Sequence, residues 1–218
     1  MKHPLVDTFR ESKLIAIIRE VDRRDIVETV AALLAGGISC VEVTFDHTGS
    51  AGIRNTLDCL DAIRERFAEQ VILGAGTVLS PGEVELAEKH NARFIISPNT
   101  DPAVIRTAKE AGMLSMPGAL TPSEITSAYE AGADIVKLYP VDILGVGYVK
   151  AVKGPLKHIP MSAVGGITPG NVREFLDSGA LCVGIGGNLV NCRLTENKKF
   201  LEIQLQAKAF CDKIKQAY

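Results

Sequence analysis

Short apolar runs rich in β-branched residues alternate along this chain with longer amphipathic segments. The runs fall at residues 14–18, 40–45, 71–74, 94–96, 114–116, 135–139, 161–164 and 182–185. Their near-continuous hydrophobicity predicts strands buried on both faces, and strict alternation with helices predicts parallel pairing. Helix-like stretches lie between them, at residues 25–35, 51–67, 81–90, 102–111 and 122–131. Ser80-Pro81, Asp101-Pro102, Thr121-Pro122 and Thr168-Pro169 each place a capping side chain before a proline, which predicts helix starts. Ala35-Gly36, Ala111-Gly112 and Ala131-Gly132 predict left-handed helix ends.

Eight such strand–helix units in 218 residues, with no nucleotide-binding glycine fingerprint after the first strand, favour closure over an open doubly wound sheet. The expected fold is α/β, a single (β/α)₈ TIM barrel over residues 1–218, with an extra helix near 4–11 and a C-terminal helix near 200–216. Hydrophobic residues make up 46% and charged residues 23%, a globular profile. A net charge of −2 supports neither a nucleic-acid groove nor a basic membrane-binding face. The opening MKHPLVDTFRESK has no apolar core or small-residue cleavage site, and no apolar run approaches ~18 residues. A cytoplasmic location is the expectation. Five scattered cysteines and four histidines form no metal-binding spacing, so ordinary thiols and no metal are expected.

Glycine pairs follow the last two predicted strands, as Gly165-Gly166 in one and Gly186-Gly187-Asn188 in the other. In parallel barrels an anion commonly sits there, held by successive backbone N–H groups and a following helix start. Taken singly, a pair of glycines is more simply a tight turn; two pairs at these two strand ends point to a phosphate.

Two charges interrupt strands that are otherwise apolar: Glu42 in Val41-Glu42-Val43 and Lys137 in Val136-Lys137-Leu138. Alternation turns both to the face opposite their neighbours, which is the barrel interior. A buried unpaired charge is costly, so the pair serves either a structural ion pair or chemistry. A desolvated lysine becomes a neutral amine able to attack a ketone, and a nearby carboxylate can move protons. Arg19, ending the first strand, suits a carboxylate, or a plain surface role. Thr77, after the third strand, offers a hydroxyl or a turn cap.

These residues sit in segments that together resemble the 2-keto-3-deoxy-6-phosphogluconate/4-hydroxy-2-oxoglutarate aldolase family. The segments are Ile15-Ala16-Ile17-Ile18-Arg19, Ala35-Gly36-Gly37, Val41-Glu42-Val43-Thr44, Gly74-Ala75-Gly76-Thr77-Val78-Leu79, Ile96-Ser97-Pro98-Asn99, Met116-Pro117-Gly118, Val136-Lys137-Leu138-Tyr139-Pro140, Val164-Gly165-Gly166-Ile167 and Gly184-Ile185-Gly186-Gly187. The resemblance implies a class I aldolase without metal or organic cofactor. Lys137 would form an iminium with a 2-keto-4-hydroxy acid and Glu42 would shuttle protons. Arg19 and Thr77 would hold the carboxylate, the glycine loops with Asn188 the phosphate, and Pro98 would lie at the pocket. Pyruvate and an aldehyde would be the products, and the implied assembly is a homotrimer.

The chain departs from that pattern in two places. Asp46-His47 stands where phosphogluconate-type members carry an arginine, and an acid there would repel the substrate unless His47 or Arg19 neutralises it. Asn188 replaces a common serine, although its amide can still donate. Two other readings stand beside the aldolase: a phosphate-binding isomerase or epimerase, and a barrel that binds ligand without lyase activity.

Overall fold

The structure is a computed structural model, and it describes residues 3–216. The strands are β1 (Leu14–Ile18), β2 (Cys40–Thr44), β3 (Ile72–Gly76), β4 (Phe94–Ile96), β5 (Leu114–Met116), β6 (Gly118–Ala119), β7 (Val136–Leu138), β8 (Met161–Val164) and β9 (Cys182–Ile185). They pair in parallel in the order β5-β4-β3-β2-β1-β9-β8-β7-β6. The outermost two, β5 and β6, are consecutive in the chain and separated only by Pro117. Proline has no N–H to give a ladder, so Pro117 offers only its carbonyl, which accepts from the Lys137 N–H at 2.9 Å. One stave, cut at a proline, therefore pairs with β4 through its first half and with β7 through its second. The barrel has eight staves and a TIM-type ring, with the fifth longer than the run at 114–116 suggested.

The helices are α1 (Leu5–Ser12), α2 (Arg23–Ala35), α3 (Ser50–Phe67), α4 (Pro81–Lys89), α5 (Pro102–Glu110), α6 (Pro122–Glu130), α7 (Gly145–Lys153), α8 (Val172–Asp177), α9 (Cys192–Glu196) and α10 (Phe200–Lys215). Ser80, Asp101 and Thr121 cap α4, α5 and α6, the last with a reciprocal bond from Glu124. Thr168-Pro169 does not start a helix. Its Thr168 N–H donates to Asn171 Oδ1 at 2.7 Å in a turn, and α8 begins only at Val172. Gly36 is also not left-handed, with φ −81°; Gly37 takes that role at φ +98°. Gly36 is needed for packing instead, because a Cβ there would lie 2.4 Å from Ala207 Cβ where α10 crosses α2.

Alternation divides the core into two layers. Ala16, Ile18, Val41, Val43, Val136, Leu138 and Val183 face the helices, beside Ile26, Leu33 and Leu60. The opposite faces contribute Ile15, Cys40, Phe94, Leu114 and Cys182 to a cluster completed by Leu5, Val6 and Phe9 of α1. Phe9 meets Phe94 edge-to-face, with centroids 5.1 Å apart. Helix α1 thus plugs the N-terminal end of the barrel and leaves the other end open. All five cysteines are free, and burial pushes the Cys59 thiol up to about 12, which keeps it inert.

Candidate active site

Glu42 on β2 and Lys137 on β7 stand between residues that face the helices, so both side chains enter the barrel. They are 1% and 6% exposed. Burial pushes the Glu42 carboxyl above its ordinary range, against the pull of the Lys137 and Arg19 charges. Burial likewise pushes Lys137 down; the Glu42 charge opposes that shift and the Arg19 charge adds to it. The two groups sense each other, yet Glu42 Oε2 is buried with no hydrogen-bond partner among the described residues, so a tight structural ion pair does not account for it. The Lys137 ammonium nitrogen lies 4.9 Å from the Tyr139 ring centroid, a soft partner that leaves its lone pair available on deprotonation.

The open end holds two cavities that share Arg19 and Glu20. The larger, about 440 Å³, runs from Ile17 and Arg19 past Tyr139 to the glycine loops after β8 and β9. The smaller, about 380 Å³, lies towards Thr44, Asp46, His47 and Thr77. Arg19 is exposed at the end of β1 and its charge reaches both buried groups. Thr77 follows β3 directly and has φ +55°, a left-handed backbone that a β-branched residue adopts only when its surroundings enforce it.

Gly165 and Gly166 have φ +122° and +63°. Side chains there would also strike Asp142, whose Cβ lies 2.5 Å from a Cβ built on Gly166. In the second loop a Cβ on Gly187 would meet nothing within 4 Å among the described residues. The backbone N–H groups of Gly165, Gly166, Gly187 and Asn188 donate to no protein acceptor among the described residues. Asn188 spends one amide N–H on the Ile167 carbonyl at 2.8 Å, tying the two loops together. The helices that follow start only at Val172 and Cys192, so the donors come from the loops themselves rather than from a helix end.

Arg19, Thr77, Gly165, Gly166, Gly186, Gly187 and Asn188 all line one cavity or the other. Glu42 and Lys137 line neither cavity; the Lys137 nitrogen stands over the ring of Tyr139, which lines the larger one. Pro98 lines neither cavity; its carbonyl packs where a Gly118 Cβ would lie, 2.2 Å away, so it closes the barrel seam. Asp46 lines the smaller cavity, where its carboxylate accepts from the Thr48 N–H at 2.9 Å and packs where a Gly52 side chain would be. That hydrogen bond, more than His47, holds the carboxyl below its ordinary range. Sequence reasoning missed Tyr139 and Glu20 as cavity residues. Position just past a strand end was the only available signal, and it does not separate them from ordinary loop residues.

The family described as KDPG and KHG aldolase matches residues 5–205. The 2-dehydro-3-deoxy-6-phosphogalactonate aldolase of Escherichia coli (strain K12) is 33% identical over 177 residues, 81% of this chain and 83% of that protein. A solved structure described as native KDPGal superposes with a TM-score of 0.84 at 31% identity, over 94% of this chain and 95% of that one. The KDPG aldolase of Legionella pneumophila, solved with pyruvate captured as a covalent carbinolamine, gives a TM-score of 0.84 at 26% identity, over 94% and 97%.

Proposed function

This chain belongs to the KDPG and KHG aldolase family, and from that premise we propose that it is an aldehyde-lyase working through a Schiff base on Lys137. Its substrate is a 2-keto-3-deoxy-6-phospho sugar acid, and its products are pyruvate and glyceraldehyde 3-phosphate. The observation that carries the reading is a lysine and a glutamate both buried in the barrel, where burial pushes Lys137 towards its neutral amine and makes the Glu42 carboxylate a stronger base.

Lys137 Nζ, as the neutral amine, adds to the C2 ketone, and loss of water gives an iminium. Glu42 accepts the proton of the C4 hydroxyl as the C3–C4 bond breaks. The bonding pair moves into the iminium and leaves an enamine, while C4 departs as the aldehyde. Glu42 then returns its proton to C3, and water releases pyruvate and restores the amine. Arg19 and Thr77 hold the C1 carboxylate, and the free N–H groups of the glycine loops with Asn188 take the phosphate. These steps require no metal or organic cofactor. We further propose a single domain, a homotrimeric assembly and a cytoplasmic location, in keeping with the family resemblance and the sequence.

Pyruvate release from the phosphogalactonate-type acid, the phosphogluconate-type acid and 4-hydroxy-2-oxoglutarate tests the substrate class. One of the phosphorylated acids should be cleaved with the highest kcat/KM. Cleavage of the unphosphorylated acid alone would contradict the phosphate assignment.

A further inference from the structure

His47 lies outside the reacting groups, yet it joins two loops that both line the smaller cavity. Its Nε2 is 2.9 Å from the Thr77 carbonyl oxygen and its Nδ1 is 3.5 Å from Glu83 Oε1. A carbonyl oxygen only accepts, so Nε2 carries the hydrogen and donates. The ring stacks on Phe45, with centroids 6.4 Å apart and planes at 27°. Glu83 in turn accepts the Leu79 N–H through Oε2 at 2.6 Å. The loop after β2 is therefore fastened to the loop after β3 through one imidazole.

The fastened segment is the one with left-handed Thr77. Its neighbour Val78 is held at the end of β4: the Val78 N–H donates to the Ile96 carbonyl at 3.2 Å, and the Val78 carbonyl accepts from Ser97 Oγ at 2.7 Å. The Thr77 carbonyl itself is held only from the cavity side, by His47, among the described residues. We propose that His47 is a positioning residue that holds Thr77 for binding the substrate carboxylate, so that the residue following Asp46 supports carboxylate binding from a loop with no arginine of its own. This inference rests on the Schiff-base reading above.

The test is borohydride trapping of pyruvate on the full-length protein, with the half-saturating pyruvate concentration and the saturating extent read separately. His47→Ala should raise the half-saturating concentration about fivefold to tenfold, the worth of one hydrogen bond, and leave the saturating extent unchanged. The remaining bonds to Val78 and Leu79 keep the loop in place, and an unchanged saturating extent reports an intact site. In His47→Gln the amide N–H can still reach the Thr77 carbonyl, and most of the loss should be recovered. On a Thr77→Val background, His47→Ala should add little.

An unchanged half-saturating concentration in His47→Ala overturns the proposal. So does an equal loss in His47→Gln, a full additional loss on the Thr77→Val background, or a fall confined to the saturating extent. Wild-type protein that takes up no label at all overturns the Schiff-base reading itself, and is thereby distinguished from a failure of His47 alone.

Discussion

The Glu42 carboxylate occupies the place where Gly76 has no side chain: a Cβ built on Gly76 would lie 1.7 Å from Glu42 Oε1. The two residues sit on adjacent paired strands, β2 and β3, and their side chains would compete for the same volume. Gly76→Ala should displace the carboxylate while leaving Lys137 on the opposite side untouched. Turnover should fall by about 10²-fold or more, the scale of a lost general base, while pyruvate trapping on Lys137 persists. Wild-type turnover in Gly76→Ala would show that the position of Glu42 is immaterial.

Glu42→Gln separates adduct formation from bond cleavage. Trapping should survive and turnover should drop about 10²–10⁴-fold. The pH dependence has a definite sign. Lys137 is pushed down by burial and pulled up by the Glu42 charge, so removing that charge lowers Lys137 further. The pH at which trapping is half-maximal should therefore move down in Glu42→Gln. An upward move or no move would contradict the electrostatic coupling.

Holding two ionisable groups in the barrel interior carries a desolvation cost. The double variant Glu42→Gln/Lys137→Met should melt higher than wild type at neutral pH, since replacing buried charge with packed neutral groups often gains about 1–4 kcal/mol. For a chain of this length that corresponds to about 2–4 °C per kcal/mol. Thermal melts followed by circular dichroism read this directly. A lower melting temperature would mean that the pair stabilises the fold.

The open space around Gly187 makes it a site where charge can be added without collision. Gly187→Asp should raise KM for the phosphorylated substrate at least about tenfold through like-charge repulsion. The half-saturating concentration of pyruvate in trapping should stay within about twofold, since pyruvate carries no phosphate. Equal effects on both ligands would place the phosphate elsewhere.

The barrel was legible because its strands are buried on both faces and read as unbroken apolar runs, and a charge inside such a run is conspicuous. Glu42 and Lys137 were found in this way. The break at Pro117 was not, because Pro117-Gly118-Ala119 looks like a turn until β7 is seen to pair with it. Thr168-Pro169 carried the same local signal as three true caps, and only the Asn171 side chain decided otherwise. The bridge from His47 to Thr77 spans 30 residues, and the fit of Glu42 against Gly76 spans two strands. Such contacts depend on distances set by the closed ring, which no local pattern encodes. The direction taken by Asp46 is of the same kind, fixed by the Thr48 N–H and the bare Cα of Gly52.

The most direct measurement is borohydride reduction in the presence of pyruvate, read by intact mass and peptide mapping. One pyruvate-derived adduct per chain is expected, on Lys137, dependent on pyruvate and absent from Lys137→Ala. No adduct, or an adduct on another lysine, would contradict the Schiff-base reading.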